Sequence, residues 1–226
     1  MFVNHMNVSN LIFDLDGTLI DSAPSILACM ELAVVKAGYE LVLPLHVSLI
    51  GPPLMSTLSL LTGLSDERLL QPLAIAFKSI YDSEGLRSTK PYPEVPNMLR
   101  YLHASGVQLH IATNKRAHPT RLILENLGWS ELFLSVYSQD RVKPGFVNKS
   151  AMLADQLQSN DIDPVTSVYI GDTPEDGLAA AENDLHFIGV NWGYGSFDIW
   201  PGVDSWSRVD TPSALMNKLG CAMSIE

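Results

Sequence analysis

Residues 10–22 read NLIFDLDGTLIDS and combine a short apolar run with a polar turn. The run Asn10–Phe13 has the length and apolar content of a buried strand. Two carboxylates, Asp14 and Asp16, follow at the point where this strand must end. Extended geometry sends alternate side chains to opposite faces, so a turn is needed to bring both inward, and Gly17 makes such a turn plausible. The stretch therefore predicts a strand that carries two carboxylates at its carboxyl end.

Four further apolar runs with β-branched or aromatic residues predict strands. They are Val107–Ala112, Phe133–Tyr137, Ser167–Ile170 and His186–Val190. Helical spacing occurs between them, at Pro93–Ala104, Pro119–Leu127 and Lys149–Leu157. Strands that alternate with helices indicate a parallel sheet and an α/β fold. The segment Trp192–Pro212 is predicted to be a loop before a final helix near Ser213–Leu219.

The stretch from about Pro24 to Asp82 breaks this alternation. It contains amphipathic segments at Ile26–Ala37, Leu54–Leu61 and Glu67–Tyr81, and its pattern predicts no strand. We expect a helical insertion after the first strand.

Size and composition narrow the possible functions. The 226 residues exceed one typical domain and fall short of two, which favours one core with a small accessory domain. Hydrophobic residues make up 46% and charged residues 17%, an ordinary globular balance. The net charge of −11 repels nucleic acids and anionic membrane surfaces, so neither is an expected partner.

The expected location is the cytoplasm. The N-terminal segment MFVNHMNVSN lacks the basic and apolar regions of a signal peptide, and no apolar stretch is long enough to span a membrane. The chain has two cysteines, Cys29 and Cys221, which lie far apart in the sequence, so a framework of several disulfide bridges is excluded.

Polar residues follow two more of the predicted strands. Thr113 and Asn114 come after Val107–Ala112, and Asp172 comes just after Ser167–Ile170, with Asp176 a short step later. Carboxyl ends of parallel strands meet at one edge, where ligands of open sheets bind. Each aspartate alone could be a turn or helix N-cap residue, but several together need a cation. Oxygen ligands match Mg²⁺, and without a Cys/His cluster zinc is disfavoured.

Four elements together resemble the signature motifs of the haloacid dehalogenase superfamily: FDLDGTLIDS, the Thr113 strand end, Lys143-Pro144 and GDTPED. Further features are similar to its phosphoglycolate-phosphatase-like group, namely DSAP, the loop at residues 50–53, PYPEV, TNK and VNWGYG. The resemblance implies an α/β fold with a Rossmann-like parallel-sheet core, residues 1–19 and 88–226. It also implies a small inserted all-helical cap domain, residues 20–87.

The resemblance assigns roles residue by residue. Asp14 would be the nucleophile that is transiently phosphorylated, and Asp16 the general acid and base. Asp14, the Asp16 backbone carbonyl, Asp172 and Asp176 would hold Mg²⁺, with Asp176 bound directly or through water. The phosphoryl group would be bound by Thr113, Asn114 and Lys143.

The expected substrate is a small phosphorylated metabolite, such as phosphoglycolate, a sugar phosphate or a nucleotide. Selectivity is expected in the cap, at His46, Gly51, Pro52 and Met55. Val47 and Ser48 stand where relatives often have an arginine, which weakens the prediction of a carboxylate-bearing substrate. The alternatives are a phosphomutase or other phosphotransferase, disfavoured by Thr18, and a non-catalytic binding protein, disfavoured by the intact aspartate pair. The sequence does not indicate an oligomeric state.

Overall fold

The computed structural model describes residues 8–51, 53–195 and 206–220. The chain forms two compact units, one of Met1–Ile20 with Pro91–Glu226 and one of Asp21–Lys90. The smaller unit is thus an insertion between two parts of the larger one. The assignment of a catalytic role to one unit and a cap role to the other stays a prediction.

The larger unit is built on a six-stranded sheet whose order is β5-β4-β1-β6-β7-β8 and whose neighbours are all parallel. Its strands are β1 Asn10–Phe13, β4 Gln108–Thr113, β5 Ser135–Ser138, β6 Ser167–Gly171, β7 His186–Val190 and β8 Ser207–Val209. Its helices are α4 Val95–Ala104, α5 Ala117–Asn126, α6 Lys149–Ser159, α7 Pro174–Ala181 and α8 Pro212–Lys218. The α/β fold with a Rossmann-like parallel sheet is confirmed.

The first strand lies at the centre of the sheet, where the direction of strand order changes. After β1 the chain adds β4 and β5 on one side and β6, β7 and β8 on the other. Phe13 is in register with Ile111 on β4 and Ile170 on β6, and the Asp14 N–H donates to the Ile170 carbonyl at 2.8 Å. Asp14 therefore emerges between two strand ends, at the switch point where open α/β sheets bind ligands.

The central strands are largely apolar, and helices of the larger unit pack against them. All four residues of β1 and all five of β6 are buried. One core cluster joins Ile12, Tyr137, Leu153 and Tyr169 with residues of α7. Each large apolar side chain buried in this way contributes roughly 1.5–3 kcal/mol to folding. This packing fixes the strand ends that carry the polar residues.

The described residues of the smaller unit form three α-helices, α1 Ala23–Lys36, α2 Leu54–Thr62 and α3 Glu67–Ser83. Its core is a cluster of Val34, Leu58, Leu70, Leu73 and Ala74. Gly63 ends α2 with φ 70°, and the Asp66 side chain caps α3 by accepting from the Arg68 N–H at 2.9 Å. The three helices predicted from amphipathic spacing are confirmed.

One prediction is wrong, because the segment Trp192–Pro212 is not all loop. Residues Ser207–Val209 form β8 and pair in parallel with Ile188–Val190 of β7. The strand has a single strongly apolar residue, Val209, so it gives no apolar run, and backbone pairing at the sheet edge forms it instead. Two strands of two residues each, β2 Ile20–Asp21 and β3 Lys90–Pro91, were also not predicted from the sequence. They form a small second sheet.

A buried histidine lies in the sheet within a chain of hydrogen bonds. His110 on β4 is fully buried, with Nδ1 2.9 Å from the Ser135 hydroxyl and Nε2 3.2 Å from Asn10 Oδ1. The Gln156 amide donates to the same hydroxyl at 2.9 Å. A neutral imidazole satisfies these partners by donating from Nε2 and accepting at Nδ1. Burial lowers the pKa of His110 to about 4, so the ring is neutral at physiological pH.

We expect this histidine to make the protein less stable in mild acid. The unfolded chain takes up a proton near pH 6.5, whereas the folded one resists until about pH 4, so stability falls as the pH drops through this window. The loss should be roughly 1 to 2 kcal/mol between pH 7 and pH 5. Urea unfolding at both pH values should show a smaller loss for His110→Gln than for the wild type. Equal losses would contradict this prediction.

Candidate active site

The turn after β1 separates the two aspartates of the first motif. Asp14 is buried, while Asp16 is partly exposed. Gly17 adopts φ 87° and its N–H donates to the Ile20 carbonyl at 2.9 Å, which closes the turn. A Cβ at Gly17 would overlap the Asp172 carboxylate. Glycine is therefore required here both by its left-handed backbone and by the approach of a second strand end.

Asp172 and Asp176 are held by the end of β6 and the start of α7. The Thr173 N–H and hydroxyl donate to Asp176 Oδ2 at 3.0 and 2.7 Å, and the Asp176 N–H donates back to Thr173 Oγ1 at 3.3 Å. This capping box uses one oxygen of Asp176. Its other oxygen, Oδ1, accepts from the Tyr169 hydroxyl at 3.1 Å. Thr173 is therefore the N-cap of α7 and Asp176 its third helical residue, so Asp176 takes part in the capping box without being the N-cap itself, and its Oδ1 lies outside the box.

Asp14, Asp172 and Asp176 form a cluster suited to a cation. All three are buried, and one carboxylate oxygen of each lies within 4.8 Å of the others. When all three carboxyl groups are ionised, the cluster carries three negative charges against one positive charge from Lys149, which leaves −2. The donor set is oxygen only, which fits a hard divalent ion.

The pKa values of these carboxyls show the same need for positive charge. Burial raises the pKa of Asp14 to about 8, with Asp176 and Asp172 adding to the shift against the opposing effect of Lys149. Burial and then Asp176 raise the pKa of Asp172 to about 7. Without added positive charge, Asp14 would be mostly protonated at pH 7 and Asp172 about half protonated. A divalent cation would keep them ionised, since nearby positive charge favours a carboxylate.

The lysine that reaches Asp14 is Lys149. Its Nζ lies 2.9 Å from Asp14 Oδ1 and 2.5 Å from Asp176 Oδ1. Burial lowers the pKa of Lys149, but Asp14 and Asp176 more than offset this, so its pKa is well above the usual value. Lys143, the lysine expected at the phosphoryl site, is exposed instead. The structure therefore brings Lys149, and not Lys143, to the carboxylates.

The local structure explains how Lys149 arrives there. Asn148 caps α6 by accepting from the Ala151 N–H at 2.8 Å, which makes Lys149 the first helical residue. A cation at a helix N-terminus is disfavoured by the helix dipole, so it needs carboxylate partners. The Asn-Lys pair at a helix start, following the fifth strand, was the available sequence signal.

The end of β4 contributes a second lysine. Thr113 is buried and accepts from the Lys115 N–H at 3.2 Å, while Asn114 is exposed. The Lys115 ammonium donates to both oxygens of Asp16, at 3.0 and 3.1 Å. Lys115 lies in the TNK motif, but sequence reasoning gave it no role of its own.

The segment after β7 wraps over Asp172. The N–H groups of Tyr194 and Gly195 donate to Asp172 Oδ2 at 2.7 and 3.3 Å, and the Thr18 hydroxyl approaches Oδ1 at 3.3 Å. The Trp192 indole donates to the Thr18 carbonyl at 3.0 Å. A Cβ at Gly193 would overlap both Asp172 and the Gly17 carbonyl oxygen. This part of VNWGYG therefore fixes the orientation of Asp172.

The predicted specificity residues lie in the smaller unit. The His46 ring accepts from the Ser48 N–H at 3.3 Å, and Gly51 is exposed with φ 107°. Met55 packs against that unit's core cluster. Pro52 lies outside the described residues. A substrate role for these residues stays a prediction.

We expect Gly193→Ala to weaken cation binding, because the added methyl group must displace Asp172 or the β1 turn. Changes in the groups that orient metal ligands typically cost 10- to 100-fold in metal affinity. The Mg²⁺ concentration that half-maximally raises the melting temperature should increase by about that factor. Asn191→Ala, an exposed position two residues earlier, should bind Mg²⁺ like the wild type. An unchanged Mg²⁺ response in Gly193→Ala would contradict the orienting role.

Within the described residues, no helix is both long and apolar enough to cross a bilayer.

Comparison with known proteins gives a consistent family. The chain is 29% identical over 201 residues to the phosphoglycolate phosphatase of Vibrio vulnificus, covering 85% of this chain and 87% of the relative. It is 27% identical over 190 residues to the 5'-nucleotidase of Pseudomonas aeruginosa, covering 84% and 85%. A solved structure of the Mycobacterium tuberculosis protein tyrosine kinase A matches with a TM-score of 0.77 at 27% identity, covering 94% of this chain and 98% of that one.

The sequence model of the haloacid dehalogenase-like hydrolases matches residues 11–190, a range that contains all but the first residue of β1, the whole of β4 and β6, and all the aspartates and lysines of the site. The chain belongs to the haloacid dehalogenase-like hydrolase family.

Proposed function

We propose that this protein is a Mg²⁺-dependent phosphatase that hydrolyses a small phosphate monoester through an aspartyl-phosphate intermediate on Asp14. The observation that carries the proposal is the position of Asp14, buried beside Asp172 and Asp176 and in contact with Lys149. The named phosphatase and nucleotidase relatives are both phosphoric monoester hydrolases, which supports the reaction class.

The first chemical step transfers the phosphoryl group to the protein. A carboxylate oxygen of Asp14 attacks phosphorus, and the bond from phosphorus to the leaving oxygen breaks with its electron pair on that oxygen. Asp16 donates a proton to the leaving alcohol. Lys149, and not Lys143, holds Asp14 in place and offsets the negative charge on the phosphoryl oxygens.

The second step releases phosphate. Asp16, now a carboxylate, removes a proton from a water molecule as the oxygen of that water attacks phosphorus. The bond from phosphorus to Asp14 breaks, and the carboxylate is restored. Thr113 and Asn114 are proposed to bind phosphoryl oxygens in both steps, Thr113 through its hydroxyl.

The proposed cofactor is Mg²⁺, held by Asp14, the Asp16 backbone carbonyl, Asp172 and Asp176. The buried oxygen-only cluster and its net charge of −2 fit this ion. When bound, Mg²⁺ supplies positive charge that offsets the carboxylates and the phosphoryl oxygens.

The substrate class follows from what the two relatives share. From their names, one relative releases glycolate and the other a nucleoside, so both hydrolyse a phosphate monoester and they differ in the alcohol that leaves. The test is a panel of phosphoglycolate, sugar phosphates and 5'-nucleotides, assayed for phosphate release with Mg²⁺ and with excess chelator. We expect Mg²⁺-dependent release from at least one of them. Release unaffected by the chelator would contradict the metal, and no release from any ester would contradict the phosphatase.

A phosphotransferase is the second candidate, favoured by the likeness to the tyrosine kinase structure. Both reactions could use the same aspartyl phosphate, and they differ in whether water or another hydroxyl accepts the group. Product analysis with a labelled phosphate donor, with and without a tyrosine-containing peptide, separates them. The phosphatase proposal expects the label in inorganic phosphate under both conditions.

We further propose that the smaller unit selects the leaving group. The residues proposed to act in the larger unit bind the phosphoryl group and metal, which every candidate substrate shares, so discrimination falls to other residues. Met55→Trp should change the kcat/KM ratio between the best natural ester and 4-nitrophenyl phosphate by about tenfold, equivalent to about 1.4 kcal/mol. An unchanged ratio with both rates intact would place specificity elsewhere.

A further inference from the structure

The second aspartate of the first motif has its own lysine. The Lys115 ammonium donates to both Asp16 oxygens, at 3.0 and 3.1 Å. The Lys115 side chain is only 6% exposed and that of Asp16 17%. A pair this shielded is not an ordinary surface salt bridge, whose contribution is near zero, and removal of one partner should have a large effect.

The chain places Lys115 by the turn that follows β4. The strand ends at Thr113, whose hydroxyl accepts from the Lys115 N–H at 3.2 Å. That bond bends the backbone directly after the sheet, before α5 begins at Ala117. The second motif therefore delivers both a hydroxyl, at Thr113, and an ammonium, at Lys115.

Each aspartate of the first motif is in contact with a different lysine. Lys149 contacts Asp14 and Asp176, and Lys115 contacts Asp16. Asp14 and Asp16 are two residues apart, yet they are held by cations from different elements, α6 and the end of β4. A cation in contact with both oxygens of Asp16 is placed to act on what Asp16 does.

We propose that Lys115 is a positioning residue that holds Asp16 toward the leaving oxygen and stabilises the carboxylate that forms there. The inference rests on the proposed phosphatase function. A general acid must lie within hydrogen-bonding reach of the oxygen that it protonates, and a side chain on a turn reaches it more often when it is fixed.

The charge balance of the first step gives Lys115 an energetic role as well. As the leaving alcohol departs, the O–H bond of Asp16 breaks, a new O–H bond forms on the alcohol, and negative charge appears on Asp16. In the structure both Asp16 oxygens accept from the Lys115 ammonium, which is the geometry of the carboxylate that forms once the proton has passed to the leaving oxygen, and the ammonium stabilises that form more than the protonated acid. Its contribution should therefore depend on whether the leaving oxygen needs a proton.

The test compares two leaving groups in Lys115→Met, which keeps the side-chain stem and removes the charge. One substrate is the best alkyl phosphate of the panel, whose alcohol must be protonated, and the other is 4-nitrophenyl phosphate, whose phenolate departs without a proton. The parameter is kcat/KM, which reports steps up to the first irreversible one. We expect kcat/KM to fall at least tenfold more for the alkyl ester than for the nitrophenyl ester.

Two further variants link the effect to Asp16 and to the charge. In an Asp16→Asn background, Lys115→Met should cause little additional loss with the alkyl ester, because the two residues act as one unit. Lys115→Arg should recover most of the alkyl-ester activity. Lys218→Met, an exposed lysine on α8, is the control and should behave as the wild type with both esters. If Lys115→Met does not fold, Lys115→Gln takes its place in the same comparison.

Equal losses for the two esters would overturn the inference, as would a full Lys115→Met effect in the Asp16→Asn background. Either result would mean that Lys115 serves the fold or binds substrate directly. A wild-type protein that hydrolyses neither ester would instead contradict the proposed phosphatase function, and this inference with it.

Discussion

Replacing Asp14 with asparagine is expected to lower kcat/KM for the best phosphate ester by at least about a thousandfold. The amide is a far poorer nucleophile than the carboxylate, and it also removes one of the three oxygen donors at the cation cluster. The measurement is phosphate release at saturating Mg²⁺. A rate within tenfold of the wild type would contradict the nucleophilic role of Asp14.

The fold should survive this change. Burial raises the pKa of Asp14 to about 8, above that of an unfolded aspartate, so its ionisation at neutral pH favours the unfolded chain. Asparagine removes that cost but also takes one carboxylate partner from Lys149, which keeps Asp176, so without metal the melting temperature of Asp14→Asn at pH 7 should stay close to that of the wild type. Asp161→Asn is the matched control, because Asp161 is exposed and its φ of 52° is tolerated by asparagine. It should retain wild-type activity.

The second large effect on activity is expected for a change at Lys149 and not for the same change at Lys143. Lys149→Met should lower kcat/KM by about 10²–10³, the typical cost of losing one preorganised charge at a transferring group. The variant leaves Asp14 and Asp176 without the ammonium that contacts both. Lys143→Met should stay within about threefold of the wild type, because a single exposed side chain contributes little to a buried site. Phosphate release by both variants, with folding checked by circular dichroism, is the measurement.

A large loss in Lys143→Met together with a small loss in Lys149→Met would mean that Lys143 binds the phosphoryl group. A large loss in both variants would show that the segment between β5 and α6 acts as a unit. Only a selective loss in Lys149→Met supports the arrangement in which the helix start supplies the charge.

Most of the fold could be predicted because its signals are local. β1 and β7 have the predicted bounds, and β6 extends only one residue further, since fully buried parallel strands are continuous apolar runs. Asp14, Thr113 and Asp172 could be predicted to lie at one edge of the sheet, because each follows or ends a strand and the carboxyl ends of parallel strands share an edge. β8 could not be predicted, since its pairing at the sheet edge depends on β7 and not on its own side chains.

The lysines were harder because long side chains reach across the sheet edge. Lys143 precedes a proline in the expected motif, while Lys149 reaches Asp14 from 135 positions away in the sequence. Which one arrives depends on where α6 begins, and Asn148 decides that by capping the helix. Lys115 was overlooked for a similar reason, because its partner Asp16 is 99 positions away.

The proposed mechanism requires a covalent phosphoryl group on Asp14. The most direct measurement is to mix the protein with its best ester, labelled at phosphorus, quench in acid within one turnover, and map the label by peptide mass spectrometry. We expect the label on the peptide that contains Asp14, and we expect it to be absent in Asp14→Asn and lost on incubation with water before the quench. Rapid ester hydrolysis with no labelled peptide, or label on any other residue, would contradict it.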